Sequence, residues 1–230
     1  MLNIRSKISH ILLPPACVLC GANAREHLIC PACEDDLPWH DKAQCPVCAL
    51  PTGTGEVCGH CLVSPPAFDA TRALLAYQFP VSAVLQCYKY AGFLAIAHMM
   101  AELFARRLGD VAMPDVIVPM PLHATRLKER GFNQAVEIGR ILARRLNIPF
   151  ESAHAKRTRY TATQAGLALK ERHRNVRGVF AFDARIAGKK IVLLDDIMTT
   201  GASLNALALA AKKAGAARVE CWVMARTLPL

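Results

Sequence analysis

Asp195 and Asp196 stand side by side behind four apolar residues, Ile191 to Leu194, and shortly ahead of Thr199, Thr200, Gly201, Ala202 and Ser203. Two adjacent carboxylates are suited to accepting hydrogen bonds from two vicinal sugar hydroxyls. A loop of hydroxyl residues and glycine at a helix start offers backbone N–H groups and side-chain hydroxyls to a phosphate. Gly201 lets the backbone approach such an anion closely. Carboxylates and cradle are laid out in the order of the hydroxyls and phosphate of a ribose 5-phosphate. The plainer alternative is a strand-to-helix turn capped by Thr or Ser.

A second set of reactive residues lies at the other end of the chain. Eight of the ten cysteines fall within the first 61 residues as four C-x-x-C pairs: Cys17/Cys20, Cys30/Cys33, Cys45/Cys48 and Cys58/Cys61. Two-residue spacing lets one tight turn present both thiolates to one metal ion, and eight thiolates complete two tetrahedral Zn2+ sites. Nine, eleven and nine residues separate successive pairs. These gaps suit two successive ribbons, with a cross-braced pairing as the alternative. Four thiolates leave zinc no open position, so the role is structural and the module needs its metal to fold. Cys87 and Cys221 lie far away in apolar surroundings and are expected in the core.

The elements that must position these groups follow from periodicity. Pro65-Pro66 marks an extended connection, dividing the chain into residues 1–66 and 67–230. Beyond it, strands are expected over 71–79, 115–121, 189–196 and 217–226, alternating with helical stretches over 81–110, 133–147 and 201–216. The strand at 189–196 is apolar on both faces, as at the centre of a parallel sheet. This alternation gives an α/β fold, an open parallel sheet with helices on both faces, whose ligands sit at the carboxyl ends of the strands.

Composition bounds the function. The 230 residues are 53% hydrophobic and 20% charged, which excludes wholesale disorder. No apolar run is long enough to span a bilayer, and Pro14-Pro15 breaks the early apolar patch, so membrane insertion is not expected and a cytoplasmic chain is. The net charge of +10 is uneven: residues 1–66 hold four Lys/Arg against six Asp/Glu, and residues 67–230 hold 24 against 12. With two zinc sites of four thiolates each, the first part stands near about −6, while the second part favours an anionic partner. Solubility alone is the competing explanation.

The segment Ile191–Ser203 resembles the PRPP-binding signature of type I phosphoribosyltransferases, where PRPP is 5-phosphoribosyl pyrophosphate. That resemblance implies ribose contacts from Asp195 and Asp196 and a 5-phosphate held by Thr199, Thr200, Gly201, Ala202 and Ser203. Thr199 stands where purine-salvage members carry an aspartate, so purine salvage gains no support. Adding 118–135, 157–180 and the four cysteine pairs, the chain resembles the ComF/GntX family of competence proteins, in which a double zinc ribbon precedes such a domain. The resemblance implies a role in the uptake and use of external DNA, with PRPP and Mg2+ bound and single-stranded DNA engaged. The alternative is an active enzyme moving phosphoribosyl from PRPP to an unidentified acceptor; no catalytic residue is assigned. Met120-Pro121 is read as an unusual peptide geometry beneath the pyrophosphate, near Arg126, Lys128 and Arg130. Asn133 is read as a helix cap. Lys89 is read as a surface lysine, with a phosphate contact as the alternative. Seven Lys/Arg in 156–177, among them Arg157, Arg159 and Arg172, with Tyr160, Thr161, Thr163 and Gln164 interleaved, suit a closing loop or a nucleic-acid backbone. A solvated face is the third reading. The zinc module is expected to dock proteins of the uptake machinery.

Overall fold

A computed structural model describes residues 16–24, 28–158 and 178–229 of the chain. The cysteine block contributes two short helices, α1 (Pro31–Asp35) and α2 (Gly59–Val63). There follow β1 (Ala70–Ala76), α3 (Val81–Ala91), α4 (Ala95–Arg107), β2 (Val116–Pro119), α5 (Ala124–Arg130) and α6 (Gln134–Leu146). The chain continues through β3 (Ala155–Arg157), β4 (Phe180–Phe182), β5 (Lys190–Met198), α7 (Ala202–Lys213) and β6 (Arg218–Arg226). The helical stretch at 81–110 divides at Gly92, whose φ of 67° is the left-handed conformation a glycine C-cap adopts.

Four strands form one sheet in the order β1-β6-β5-β2, and every pairing is parallel. Central β5 is buried on both faces from Ile191 to Leu194, which explains its unbroken apolar run. Its alternating side chains feed two clusters. Val192 and Leu194 pack with Leu85 of α3, Leu103 of α4 and Ile138 of α6. Ile191 and Leu193 pack on the other face with Leu207 and Ala211 of α7. The sheet therefore has helices on both faces, as periodicity alone required, and β3–β4 form a separate antiparallel pair.

The cysteine block is built into this core. Cys17, Ala24, Ile29, Cys30 and Leu37 belong to the same apolar cluster as Leu75 and Trp222. The chain after α1 also runs along the outer edge of β1. Ala76 N–H donates to Pro38 O (2.8 Å), His40 N–H to Leu74 O (3.1 Å) and Thr71 N–H to Pro46 O (3.1 Å). An open strand edge invites pairing with other chains, and residues 38–46 occupy this one.

Shared packing makes the first ribbon part of the global fold. Ile29, 2% exposed, loses its contacts with the sheet cluster in Ile29→Ala. The expected cost is about 2–5 kcal/mol, read as a lower denaturant midpoint of the zinc-loaded protein. Fluorescence from the two tryptophans, Trp39 in the cysteine block and Trp222 in the sheet, should report one common transition.

Candidate functional site

Asp195 and Asp196 end the apolar run of β5, where the sheet opens toward the loops. Asp196 is 6% exposed, and Lys89 of α3 places its Nζ 3.1 Å from Asp196 Oδ2. Asp195 is half-buried, and its Oδ1 accepts from Asp196 N–H at 2.9 Å. Burial pushes the Asp195 carboxyl well above the ordinary carboxylate range, the neighbouring Asp196 charge adds to this, and Lys89 opposes it.

These groups border a cleft of about 170 Å³ with Arg126, Arg130 and Arg157. Four cations against two carboxylates leave that cleft net positive, the sign an anionic ligand needs. The Arg157 guanidinium is held below its ordinary pKa by burial and then by Arg126, while Asp195 pulls the other way. It also lies 5.5 Å from the Phe180 ring centre. Asn133 caps α6, accepting from Ala135 N–H and Val136 N–H, and its amide donates to Met120 O at 3.0 Å. One asparagine thus fixes both the helix start and the loop beyond β2.

The turn from β5 into α7 is tight. Gly201 caps α7 with φ 79°, and a Cβ there would lie 2.7 Å from Met198 Cε. Ala202 N–H donates to Thr200 Oγ1 at 3.3 Å, and Asn205 N–H to Gly201 O at 2.8 Å. Ser203 borders the cleft with the aspartates, whereas Thr199, Thr200 and Gly201 border a second cleft of about 760 Å³ beside Cys48, His60 and Cys61. Ala202 is buried. The five loop residues are therefore divided between two faces of one turn.

The cysteines gather as two groups: Cys17, Cys20, Cys30 and Cys33, and Cys45, Cys48, Cys58 and Cys61. Within each group all four Sγ atoms lie within 4.8 Å of one another. Cys20–Cys30 and Cys48–Cys58 are separated by 3.7 and 3.6 Å. A Zn–S distance of about 2.3 Å gives tetrahedral edges of roughly 3.8 Å, so both sets fit Zn2+. Cys58 N–H points at Cys45 Sγ at 3.4 Å, the outer hydrogen bond that steadies a thiolate ligand. The groups are consecutive in the chain, the sequential arrangement and not the cross-braced one.

Three sequence expectations are corrected. Lys89 is not a free surface lysine, because α3 turns it inward onto Asp196. The Met120–Pro121 bond is not cis; the cis peptide among the described residues is Phe79–Pro80. Met120 instead continues the parallel ladder, its N–H donating to Leu194 O at 2.8 Å, and it borders the aspartate cleft, of which Pro121 is not a wall. Cys87 is exposed on α3, although Cys221 is fully buried in β6. Arg159 and Arg172, with Tyr160, Thr161, Thr163 and Gln164, lie outside the described residues. Arg226 escaped the sequence reading; its only signal is a charge at the end of an otherwise apolar strand.

Comparisons with known proteins find matches for both parts of the chain. Residues 8–62 match the double zinc ribbon domain and residues 133–228 the phosphoribosyl transferase domain. The chain is 34% identical over 195 residues to the DNA utilization protein YhgH of Escherichia coli (strain K12), covering 82% of this chain and 86% of that one. It is 28% identical over 226 residues to competence protein F of Haemophilus influenzae, covering 94% and 93%. Competence protein ComFC of Bacillus subtilis is 26% identical over 212 residues, covering 86% and 84%. Among solved structures, a glutamine PRPP amidotransferase from B. subtilis aligns with 55% of this chain and 25% of its own, at 17% identity and TM-score 0.39.

The raised Asp195 pKa has a definite sign in stability. Full stability is present below the unfolded carboxyl value of about 3.9 and is lost as pH rises through the higher folded value. Asp195→Asn keeps the acceptor for Asp196 N–H and removes the charge. Its Tm relative to wild type, both zinc-loaded, should climb as pH rises above the unfolded carboxyl value of about 3.9. A Tm difference that stays flat across that range would contradict the assignment.

Proposed function

The chain belongs to the ComF family, in which a double zinc ribbon precedes a phosphoribosyltransferase domain, and from this we propose that it serves the use of external DNA through a pocket for PRPP or ribose 5-phosphate. The observation that carries the reading is the carboxylate pair at the end of β5, set in a net-positive cleft beside a helix-start loop. Asp195 and Asp196 accept hydrogen bonds from the ribose hydroxyls, Lys89 holds Asp196 in place, and the turn from Thr199 to Ser203 takes the 5-phosphate. Met120, which borders the cleft, lies against the pyrophosphate, and Pro121 follows it outside the cleft wall. Mg2+ enters with PRPP as part of the ligand and screens its phosphates.

Single-stranded DNA is the second ligand of this proposal. Arg157 stands at the cleft, and with Arg159 and Arg172 it supplies cations for a phosphate backbone. The competence and DNA-utilisation names of the relatives support the role, as does the positive charge concentrated after residue 66. No helix among the described residues is long and apolar enough to cross a membrane. Docking to uptake-machinery proteins would fall to the zinc ribbons, the part of the chain with the opposite charge.

Calorimetric titration of the zinc-loaded protein with PRPP, with and without Mg2+, tests the pocket. Wild type should bind PRPP more tightly with Mg2+, and Asp195→Ala/Asp196→Ala should weaken binding by a factor of ten or more, on the order of two lost charge-assisted contacts. A folded wild type that takes up neither PRPP nor ribose 5-phosphate would refute the pocket. Pyrophosphate release during the titration would identify transfer chemistry as well as binding.

The DNA arm has its own readout. Single-strand affinity should fall with rising salt, by about 0.7 in log–log slope for each phosphate neutralised. Arg157→Ala/Arg159→Ala/Arg172→Ala should reduce that slope by roughly 2. An unchanged slope would remove these three residues from the interface.

A further inference from the structure

Arg226, the last residue of β6, is 3% exposed, and among the described residues it makes no ion pair with a carboxylate. A buried guanidinium in that position must be satisfied by other groups. Its acceptors are all backbone carbonyls. Nε donates to Cys48 O at 3.0 Å, and Nη1 donates to Met198 O and Thr227 O at 2.9 Å each and also to Thr199 O. The first carbonyl is the backbone carbonyl of Cys48, a member of the second cysteine group, and the Met198 and Thr199 carbonyls open the turn that carries the expected phosphate loop. One side chain therefore bridges two parts of the chain that are 150 residues apart in sequence, Cys48 and Met198.

The knuckle on the cysteine side is itself held in one shape. Ala49, next to Cys48, has φ 55°, a conformation rarely adopted outside glycine, asparagine and aspartate. Its N–H donates to Cys45 O at 2.9 Å, and its carbonyl meets buried His40 Nε2 at 2.7 Å. A metal held by Cys45, Cys48, Cys58 and Cys61 would keep that turn wound and so fix where the Cys48 carbonyl points. Four thiolates around Zn2+ would carry a surplus of negative charge, and Arg226 interacts electrostatically with three of these cysteines, Cys48, Cys58 and Cys61. On the loop side, the Met198 carbonyl also accepts from Thr227 N–H at 3.0 Å.

We propose that Arg226 is a positioning residue that makes the Thr199–Ser203 loop depend on the second zinc centre, by clamping the Cys48 carbonyl to the Met198 and Thr199 carbonyls. Zinc loss at that centre releases the Cys48 carbonyl, the guanidinium loses one anchor, and the loop loses the contact that holds its first residues. The first cysteine group has no such tie to this loop among the described residues; its packing is with Leu75, Val84 and the α3–α4 side. The ligand consequence rests on the phosphoribosyl reading above, whereas the mechanical link between zinc centre and loop does not.

Hydrogen exchange and PRPP titration on the zinc-loaded full chain separate these two layers. Arg226→Met and, independently, Cys58→Ser should speed amide exchange across 199–203 by tenfold or more while β5 amides at 191–194 stay protected. Arg226→Lys, which keeps the charge and part of the hydrogen bonding, should fall between wild type and Arg226→Met. Cys17→Ser, which disturbs the first group, should leave 199–203 at the wild-type rate relative to β5. PRPP or ribose 5-phosphate affinity should drop in the same order as exchange rises. Exchange at 199–203 that is unchanged in both Arg226→Met and Cys58→Ser overturns the proposal, as does a loop loosened equally by Cys17→Ser. A wild type that binds neither ligand refutes the pocket and leaves the exchange comparison to decide the link.

Discussion

Strand β5 is apolar on both faces as far as Leu194 and then presents two carboxylates, so negative charge must be accommodated where water is scarce. Adjacent residues of a strand point to opposite faces of its sheet. Compensation is therefore needed from both layers, and both supply it. Asp196 meets Lys89 from α3, in the layer that also holds α4 and α6. Asp195 shares its cleft with Arg157 at the end of β3, in the layer of α7. The residual electrostatic mismatch shows in the raised Asp195 pKa and in the net-positive balance of the cleft. A polyhydroxyl anion of the proposed kind would resolve both, its hydroxyls donating to the carboxylates and its phosphates meeting the surplus cations.

The cysteine block solves a different difficulty. It is short of large apolar residues, and its two four-thiol groups fit metal ions that would replace the missing core. Wound in that way, it contributes Ile29 and Leu37 to the main apolar cluster and lays residues 38–46 against the free edge of β1. The sheet thus gains a covered edge and an enlarged core from a segment with little core of its own. The same attachment brings Cys48 next to the end of β6, where Arg226 can reach it.

Much of this was legible in the sequence, for local reasons. C-x-x-C pairs with matched gaps specify metal turns, the two-sided apolar run of β5 specifies a central parallel strand, and Asn133 before an amphipathic repeat specifies a helix start. What stayed hidden depends on contacts distant in sequence. Lys89 reads as a surface residue because its partner lies 107 positions away. Arg226 reads as the polar end of a strand, since carbonyl acceptors leave no trace in residue types. Cys87 sits among apolar neighbours in sequence, yet α3 turns that position outward. The division of the 199–203 loop between two clefts follows from the Gly201 turn, whose φ of 79° redirects the chain just before α7.

That division places the loop at a boundary between two electrostatic environments. On one side lies the cleft of about 170 Å³, with four cations and two carboxylates. On the other lies the cleft of about 760 Å³, walled by Pro65, Pro66, Phe68 and Leu228, in which Arg226 is the one Lys or Arg among the described lining residues. That arginine is already engaged by backbone carbonyls and faces the thiolates of the second cysteine group. The smaller cleft therefore carries the positive surplus, although the larger one has more room. Volume and charge thus point to opposite sides of the same turn.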